Sequence, residues 1–337
     1  MRKAVLAIDI GGSTSRAYLA DMRGHCLGRG RNRGGNPASN DPEQAAAAII
    51  SAVEAAVADA GGEPLDIAVA LLGLAGPPVH LLRPRLETAF RAHGLSGGIE
   101  ISGDLLAMFA SATPSTDGYG MVSGTGAGAV RIRDGRIDRV ADAAGWLLGD
   151  TGSGYWLGHQ AARAVVAALD GRAEDTVLVS AILDNLGIAP SDDRAPDSRP
   201  ASLRALTDAV YGLRPIELAR FAPLVIAHRQ DPVASRLIAA AEDHLVTLFA
   251  TVFDPGHVGP VALGGGVMPH LTGVPPRIAE IQRAAGQVPD IRPVVDGSVG
   301  VIALALRKVG IDVDEKVFRT IAASVSGHDA GTAGGQP

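Results

Sequence analysis

A single cysteine, Cys26, is all the thiol this chain carries in 337 residues. One cysteine cannot close an internal disulfide, and it cannot supply a thiolate zinc site or an iron–sulfur cluster held by this chain alone. Such usage fits a cytoplasmic setting. Aromatic residues are also scarce, at 4% of the chain, so the cores must be built from Ala, Val, Leu and Ile. No uninterrupted apolar run reaches the roughly 18 residues of a membrane span. The opening MRKAVLAIDI has a basic pair, but its short apolar run is broken by Asp9, and it does not read as a signal peptide. A basic excess is missing as well: the net charge is −6, which argues against a nucleic-acid surface. A phosphate ligand would have to be held by local amides and a metal instead of a general positive field. Neither GxGxxG nor GxxxxGK[ST] occurs, so the dinucleotide-fold and P-loop readings drop.

What is present begins with an apolar content of 47% and a length that suits two ordinary domains. The stretch Ala4 to Asp21, AVLAIDIGGSTSRAYLAD, pairs two short β-type runs across a polar, glycine-rich turn, which predicts a hairpin. At its tip, Gly11 and Gly12 let backbone approach a ligand, and Ser13 and Thr14 offer hydroxyl and amide donors. Asp9 beside the tip would repel a phosphate directly. It becomes useful as a metal residue if Mg²⁺ lies between them, because Mg²⁺ keeps its waters and bridges carboxylates to substrate phosphates. Read alone, the same residues also make an ordinary tight hairpin with an exposed Asp.

Along the chain, Leu27 to Arg33 continues the meander. Asp41 and Pro42 open an alanine-rich helix to Ala60, a strand runs from Ile67 to Leu72, and a helix from Leu82 to His93. A strand at Ile99–Ser102 and a helix at Leu105–Ala112 complete an α/β unit with a mixed sheet. From Asp117 the opening plan returns: a strand to Val122, a turn at Gly124-Thr125-Gly126, a strand to Arg133, a turn, and a strand to Val140. This reads as a diverged internal duplication. Helices are predicted at 154–169, 202–210, 215–228 and 232–253, strands at 261–263 and 291–295, and a last helix capped by Asp296-Gly297-Ser298. The tail from Ser326 is small and polar and is expected to be disordered.

Several residues stand out as chemistry-bearing. Asp104 follows a strand and opens a helix, the place where ligands gather in α/β sheets and where a general base would sit; a helix-capping Asp uses the same position. Gly124, Thr125 and Gly126 suit a phosphate nest or a plain hairpin turn. Gly264, Gly265 and Gly266 at a strand end allow close approach of a flat ring or ribose. Asn36 and Asp150, polar groups in glycine-rich loops, suit sugar hydroxyls or simple turns. Trp146 suits a pocket wall or the core.

The order of motifs DIGGSTSR at 9–16, SGD at 102–104, SGTGAGAV at 123–130, AGWLLGDTGSGYWLG at 144–158, LGGG at 263–266 and DGSVGVIALAL at 296–306 resembles the N-acetylglucosamine kinase branch of the BadF/BadG/BcrA/BcrD ATPase family, within the actin / Hsp70 / sugar-kinase superfamily. The resemblance spans about residues 4–310. It implies an α/β fold of two RNase H-like (actin-like ATPase) domains with an interdomain cleft. They would be 1–116, completed by a C-terminal helix at about 300–325, and 117–299 with a helical insertion, followed by the tail 326–337. It implies transfer of the ATP γ-phosphate to the 6-hydroxyl of N-acetylglucosamine or glucosamine, with Asp104 as general base and Asp9 holding Mg²⁺ through water. Gly11, Gly12, Ser13, Thr14, Gly124, Thr125, Gly126 and Gly264 to Gly266 would bind ATP. Asn36, Asp104, Gly145, Trp146 and Asp150 would contact the amino sugar. Apart from the resemblance, alanine-rich helices such as 43–60 have apolar residues on more than one face, from which a homodimer is expected. Ala127 stands where Ser is usual after the second turn, and Thr151 where an acidic residue or Gln often follows the Asp. The alternatives are an ATPase activator of a dehydratase, which would need cysteines for its cluster, and a non-catalytic sugar or nucleotide sensor.

Overall fold

The computed structural model describes residues 1–12, 14–37, 40–61, 63–74, 82–191, 193–196, 198–295 and 297–332. The chain runs β1 (Arg2–Ile10), β2 (Thr14–Asp21), β3 (Cys26–Arg33), α1 (Pro42–Asp59), β4 (Leu65–Leu74), α2 (Arg83–Ala92), β5 (Leu95–Ser102) and α3 (Asp104–Ala112). It continues with β6 (Gly118–Ser123), β7 (Ala127–Arg133), β8 (Arg136–Asp142), α4 (Gly154–Leu169), α5 (Leu178–Asn185), α6 (Ala201–Tyr211), a 3₁₀ turn (Pro215–Phe221), α7 (Ala222–Ala227) and α8 (Pro232–Val252). Last come β9 (Val261–Gly264), a 3₁₀ turn (Met268–His270), α9 (Val274–Ala284), β10 (Ile291–Pro293), α10 (Ser298–Lys308) and α11 (Glu315–Thr332). Two compact units result. Unit 1 is Met1–Gly120 with Ile132–Arg136 and Val294–Pro337, and unit 2 is Met121–Arg131 with Ile137–Pro293.

Unit 1 holds a five-stranded sheet in the order β3-β2-β1-β4-β5. β1 and β3 run antiparallel to β2, whereas β4 runs parallel to both β1 and β5. The alternation of a strand sends Leu6, Ile8, Ala17 and Leu19 to one face, under α1 and α2, and Val5, Ala7, Tyr18 and Ala20 to the other, under α10 and α11. With both faces covered, β1 is a nearly continuous apolar run. Asp41 starts α1 by accepting the amides of Glu43 and Gln44, at 3.0 and 3.2 Å. The alanines of α1 let it lie almost on the sheet: a Cβ at Gly30 would stand 1.9 Å from the carbonyl oxygen of Ala52. Ala45, Ala46, Ala48, Ala52 and Ala56 are buried in this packing. The face of α1 formed by these alanines is covered within unit 1, whereas Ala47, Ala55 and Ala58 lie on its exposed side.

The sheet of unit 2 has the order β8-β7-β6-β9-β10. Counted from the first strand of each half, both sheets read third, second, first, fourth, fifth, which is the duplication expected from the repeated strand–turn–strand plan. The helical elements α5 to α8 and the 3₁₀ turn before α7 are inserted between α4 and β9.

Some local expectations change. The stretch 215–228 is not one helix: a 3₁₀ turn ends at Phe221 and α7 restarts with Pro223 in its first turn, where a missing amide hydrogen is tolerated. The fifth strand begins at Leu95, ahead of the β-branched residues that mark its second half. Helices α5 and α9 add to the expected set; neither has a side-chain cap, and α9 opens with proline in its first turn. Helix α11 extends to Thr332, so the expected disordered tail is helical through 326–332. Asp296, read as part of a helix cap, lies outside the described residues, as does Ser13.

Candidate active site

In unit 1 the candidate residues gather at the carboxyl edge of the parallel strands. Sheet register sets Asp9 beside Gly73, and Gly73 beside Ser102. Neighbouring strands lie about 4.8 Å apart, so the ends of β1 and β5 are roughly 10 Å from each other. Asp104 follows Ser102 by two residues, in the first turn of α3.

At the hairpin tip the Gly11 amide donates to the Thr14 carbonyl at 2.8 Å. Asn36 is buried and joins this tip, its amide donating to the Gly11 carbonyl at 3.3 Å. The side chain of Asn40 donates to the carbonyls of Gly12 and Asn36, at 3.2 and 3.0 Å. Thus Gly11, Gly12, Thr14 and Asn36 form one group. Asn40, which the sequence did not mark, ties it together; its only signal was its place in the polar linker after Pro37.

Asp9 pairs across the hairpin with Arg16, Oδ2 to Nη1 at 3.2 Å. Its Oδ1 faces the start of α10, where a Cβ on Gly297 would stand only 3.0 Å away. Tyr18 and Ser298 share a hydroxyl–hydroxyl hydrogen bond of 2.7 Å that fixes the same end of α10. Among the described residues, no three His, Cys, Asp or Glu side chains converge as a metal cage. One carboxylate at a glycine-rich tip matches Mg²⁺, which is held by one or two carboxylates, waters and substrate phosphates. The donor set therefore fits a hydrated ion that comes with a nucleotide.

Asp104 Oδ1 accepts the amide of Leu105 at 2.8 Å. Burial pushes its carboxyl above the ordinary carboxylate range, against the smaller opposing pull of the Leu105 amide and its own. The position of α3 depends on α10. A Cβ at Gly300 would stand 1.8 Å from the Ala107 carbonyl oxygen, and the Gly300 amide donates to Ser111 Oγ at 2.8 Å.

In unit 2 three chain segments close around buried Ser123. Its hydroxyl donates to the Gly152 carbonyl at 2.8 Å, and its carbonyl accepts the Val267 amide at 2.9 Å. The turn Gly124-Thr125-Gly126 follows, closed by a bond of 2.9 Å from the Gly124 amide to the Gly126 carbonyl. The amides of Gly154 and Tyr155 donate back to the carbonyls of Gly124 and Thr125, at 2.7 and 3.2 Å. Gly265 takes φ +95°, and a Cβ there would stand 2.4 Å from the Ser123 carbonyl oxygen, so this crossing requires glycine. The two glycine-rich segments, far apart in sequence, are thereby adjacent.

Beside them opens a cavity of about 460 Å³. Gly124, Thr125, Gly154 and Gly266 line it with backbone and one hydroxyl. Ala219, Ala222, Pro223, Ile226 and Ala227 line it with small apolar groups, and Val267 and His270 complete it. A polar end and an apolar body of this size suit a nucleoside with its phosphates at the turn. The apolar wall was not marked by the sequence. Its residues read as ordinary helix interior, and only their break at Pro223 set them apart.

The loop after β8 carries Gly145, Trp146 and Asp150. Asp150 has φ +57° and is buried, and its Oδ1 accepts the Ala127 amide at 3.0 Å. Burial, then the charge of Asp142, raises its carboxyl above the ordinary range, while the Ala127 amide pulls the other way. Trp146 is 39% exposed and meets Tyr155 edge-on at 5.9 Å between ring centroids; Tyr155 in turn stacks on His159 at 5.6 Å. Burial, then the Asp150 charge, raises the Tyr155 hydroxyl, and burial, then Arg163, lowers His159. Trp146, Asp150 and the turn at Gly124–Gly126 thus form one connected surface of unit 2.

A model of the BadF/BadG/BcrA/BcrD ATPase family matches residues 6–269. A curated relative, the N-acetylmuramic acid/N-acetylglucosamine kinase of Clostridium acetobutylicum, is 27% identical over 193 residues, which covers 57% of this chain and 62% of that protein. The match thus spans under two thirds of the relative's length. Among solved structures, a protein of Chromobacterium violaceum provisionally named an N-acetylglucosamine kinase has a TM-score of 0.71 at 26% identity, covering 90% of this chain and 99% of the other. A protein of Porphyromonas gingivalis with the same provisional name has a TM-score of 0.66 at 22% identity, with the same coverage. The two mixed-sheet units are therefore those of the actin-like sugar-kinase fold.

Proposed function

The chain belongs to the BadF/BadG/BcrA/BcrD ATPase family, and from that premise we propose that it is an ATP-dependent amino-sugar kinase. It moves the γ-phosphate of ATP to the 6-hydroxyl of N-acetylglucosamine or glucosamine. The observation that carries this reading is Asp104, a carboxyl raised by burial, at the carboxyl edge of β5 and at the opening of α3. In the reaction, Asp104 accepts the proton of the sugar hydroxyl as that oxygen bonds to the γ-phosphorus. The bond from phosphorus to the bridging oxygen breaks, and ADP leaves with the electron pair. Such transfers draw mainly on positioning and on charge stabilisation. A carboxyl with a raised pKa is a better proton acceptor than an exposed aspartate at the same pH, provided it is ionised.

The remaining roles follow from the local chemistry. The cavity beside Gly264–Gly266 takes the nucleoside, and the turn at Gly124, Thr125 and Gly126 takes phosphate oxygens. Gly11, Gly12 and Thr14 form the second phosphate-facing tip. Asp9 holds Mg²⁺ through water; when bound, the ion neutralises phosphate charge. Asn36, Gly145, Trp146 and Asp150 contact the sugar, with Trp146 offering its partly exposed ring to it.

A dehydratase activator would need thiolates at a cluster. Cys26 is buried, with its Sγ 3.6 Å from the Gly28 carbonyl, and it is the chain's single cysteine. The test is ADP release with ATP and Mg²⁺ against N-acetylglucosamine, glucosamine, N-acetylmuramic acid, N-acetylmannosamine, glucose and buffer, with Asp104→Asn alongside. Turnover on one amino sugar, lost in the variant, supports the kinase. Turnover that ignores the sugar overturns it.

A further inference from the structure

Asp142 lies at the end of β8, outside every motif considered so far. Its carboxylate accepts amides from both ends of the loop that carries Trp146. Oδ1 takes the amide of Ala144 at 3.2 Å and that of Asp150 at 2.9 Å, and Oδ2 takes the amide of Thr151 at 3.2 Å. One side chain thus staples the entrance of the loop to its exit. The backbone conforms to the staple: Asp142, Ala143 and Asp150 all have left-handed φ, at 60°, 58° and 57°. Such conformations persist without glycine only where the surroundings impose them. Gly149 is explained by the same contact, because a Cβ there would overlap Asp142 Oδ1. The loop's exit, Asp150, then reaches the phosphate turn through the Ala127 amide at 3.0 Å.

We infer that Asp142 is a positioning residue for the sugar site: by clamping the 143–151 loop it sets Trp146 over the acceptor and fixes Asp150 against the phosphate turn. This rests on the kinase reading above. The three hydrogen bonds of the Asp142 carboxylate all go to backbone amides of its own loop. Its effect is therefore on the placement of a sugar-binding loop, not on the chemical step or on the nucleoside cavity, none of whose lining residues it contacts through a hydrogen bond.

The test uses the full chain and three variants. Asp142→Asn keeps the shape and one acceptor oxygen. Asp142→Ala removes the staple, and Gly149→Ala puts a methyl where the carboxylate lies. For each, initial rates are taken over sugar and ATP concentrations, and hydrogen exchange is followed at the amides of Ala144, Asp150 and Thr151. Asp142→Ala and Gly149→Ala are expected to raise the KM for the amino sugar about tenfold, leave the KM for ATP within twofold, and deprotect the three amides. Asp142→Asn is expected to fall between them and the unaltered protein. Equal loss on both KM values, or an unchanged sugar KM, overturns the positioning role while the kinase reading stands. Retained protection of the three amides overturns the clamp itself. If the unaltered protein shows no sugar-dependent turnover, the kinase reading falls and the positioning role falls with it.

Discussion

The Asp150 side chain accepts the Ala127 amide at 3.0 Å, joining the loop that carries Trp146 to the turn at Gly124–Gly126. Ala127 is 2% exposed, so water cannot readily replace the lost acceptor. Asp150→Ala should cost about 1–3 kcal/mol, the usual penalty for a buried donor left without a partner. Chemical denaturation of the two proteins side by side measures it. A difference near zero would show that the amide finds another acceptor.

The raised Asp104 carboxyl has a consequence for stability. Its folded pKa lies above its unfolded value, so the folded state holds the proton more tightly. The group's favourable contribution is present below the unfolded pKa and is lost as pH rises through the folded pKa. Above the unfolded pKa that contribution falls away, and the buried carboxyl becomes a net cost to the folded state. Asp104→Asn should melt at a higher temperature than the unaltered protein at pH 7–8, and the gap should narrow as the pH drops toward the carboxylate range. The same variant should lose about 10²–10⁴ in turnover if Asp104 is the general base. Melting scans across pH, paired with rates, read both. Lower melting of the variant at every pH would contradict the burial argument.

Gly300 is the contact that seats α3, and with it Asp104. Because a Cβ there would meet the Ala107 carbonyl oxygen at 1.8 Å, Gly300→Ala must push α10 and α3 apart. Overpacking of this kind typically costs about 1–3 kcal/mol. The expected result is a lower denaturation midpoint, together with a fall in turnover larger than the fall in folded fraction.

Ala227 is exposed yet lines the nucleoside-sized cavity. A large ring placed there occupies the cavity without disturbing a packed core. Ala227→Trp should weaken ATP binding about tenfold or more and leave the melting temperature within a degree or two, since surface changes usually move stability by less than about 0.5 kcal/mol. Nucleotide titration by calorimetry decides it, and undiminished affinity would place the nucleoside elsewhere.

Much of this protein was legible in its sequence, because the features concerned are local. Strands around glycine-rich turns announce themselves within about twenty residues, and their recurrence from Asp117 gave the duplication that both sheet orders display. Asp41 before Pro42, and Asp231 before Pro232, mark helix starts through bonds to amides two and three residues away. The candidate residues Asp9, Asp104 and Thr125 stand at strand ends for the same local reason. What the tertiary structure decided was which distant segments meet. The apolar wall at Ala219–Ala227 becomes a cavity only because the chain returns it beside Gly124 and Gly266. Gly300 is required by a helix nearly two hundred residues earlier, and Gly149 by the Asp142 carboxylate. Hydrophobic periodicity tells which face of an element is buried; it carries no information about which carbonyl, or which carboxylate, will be waiting on the other side.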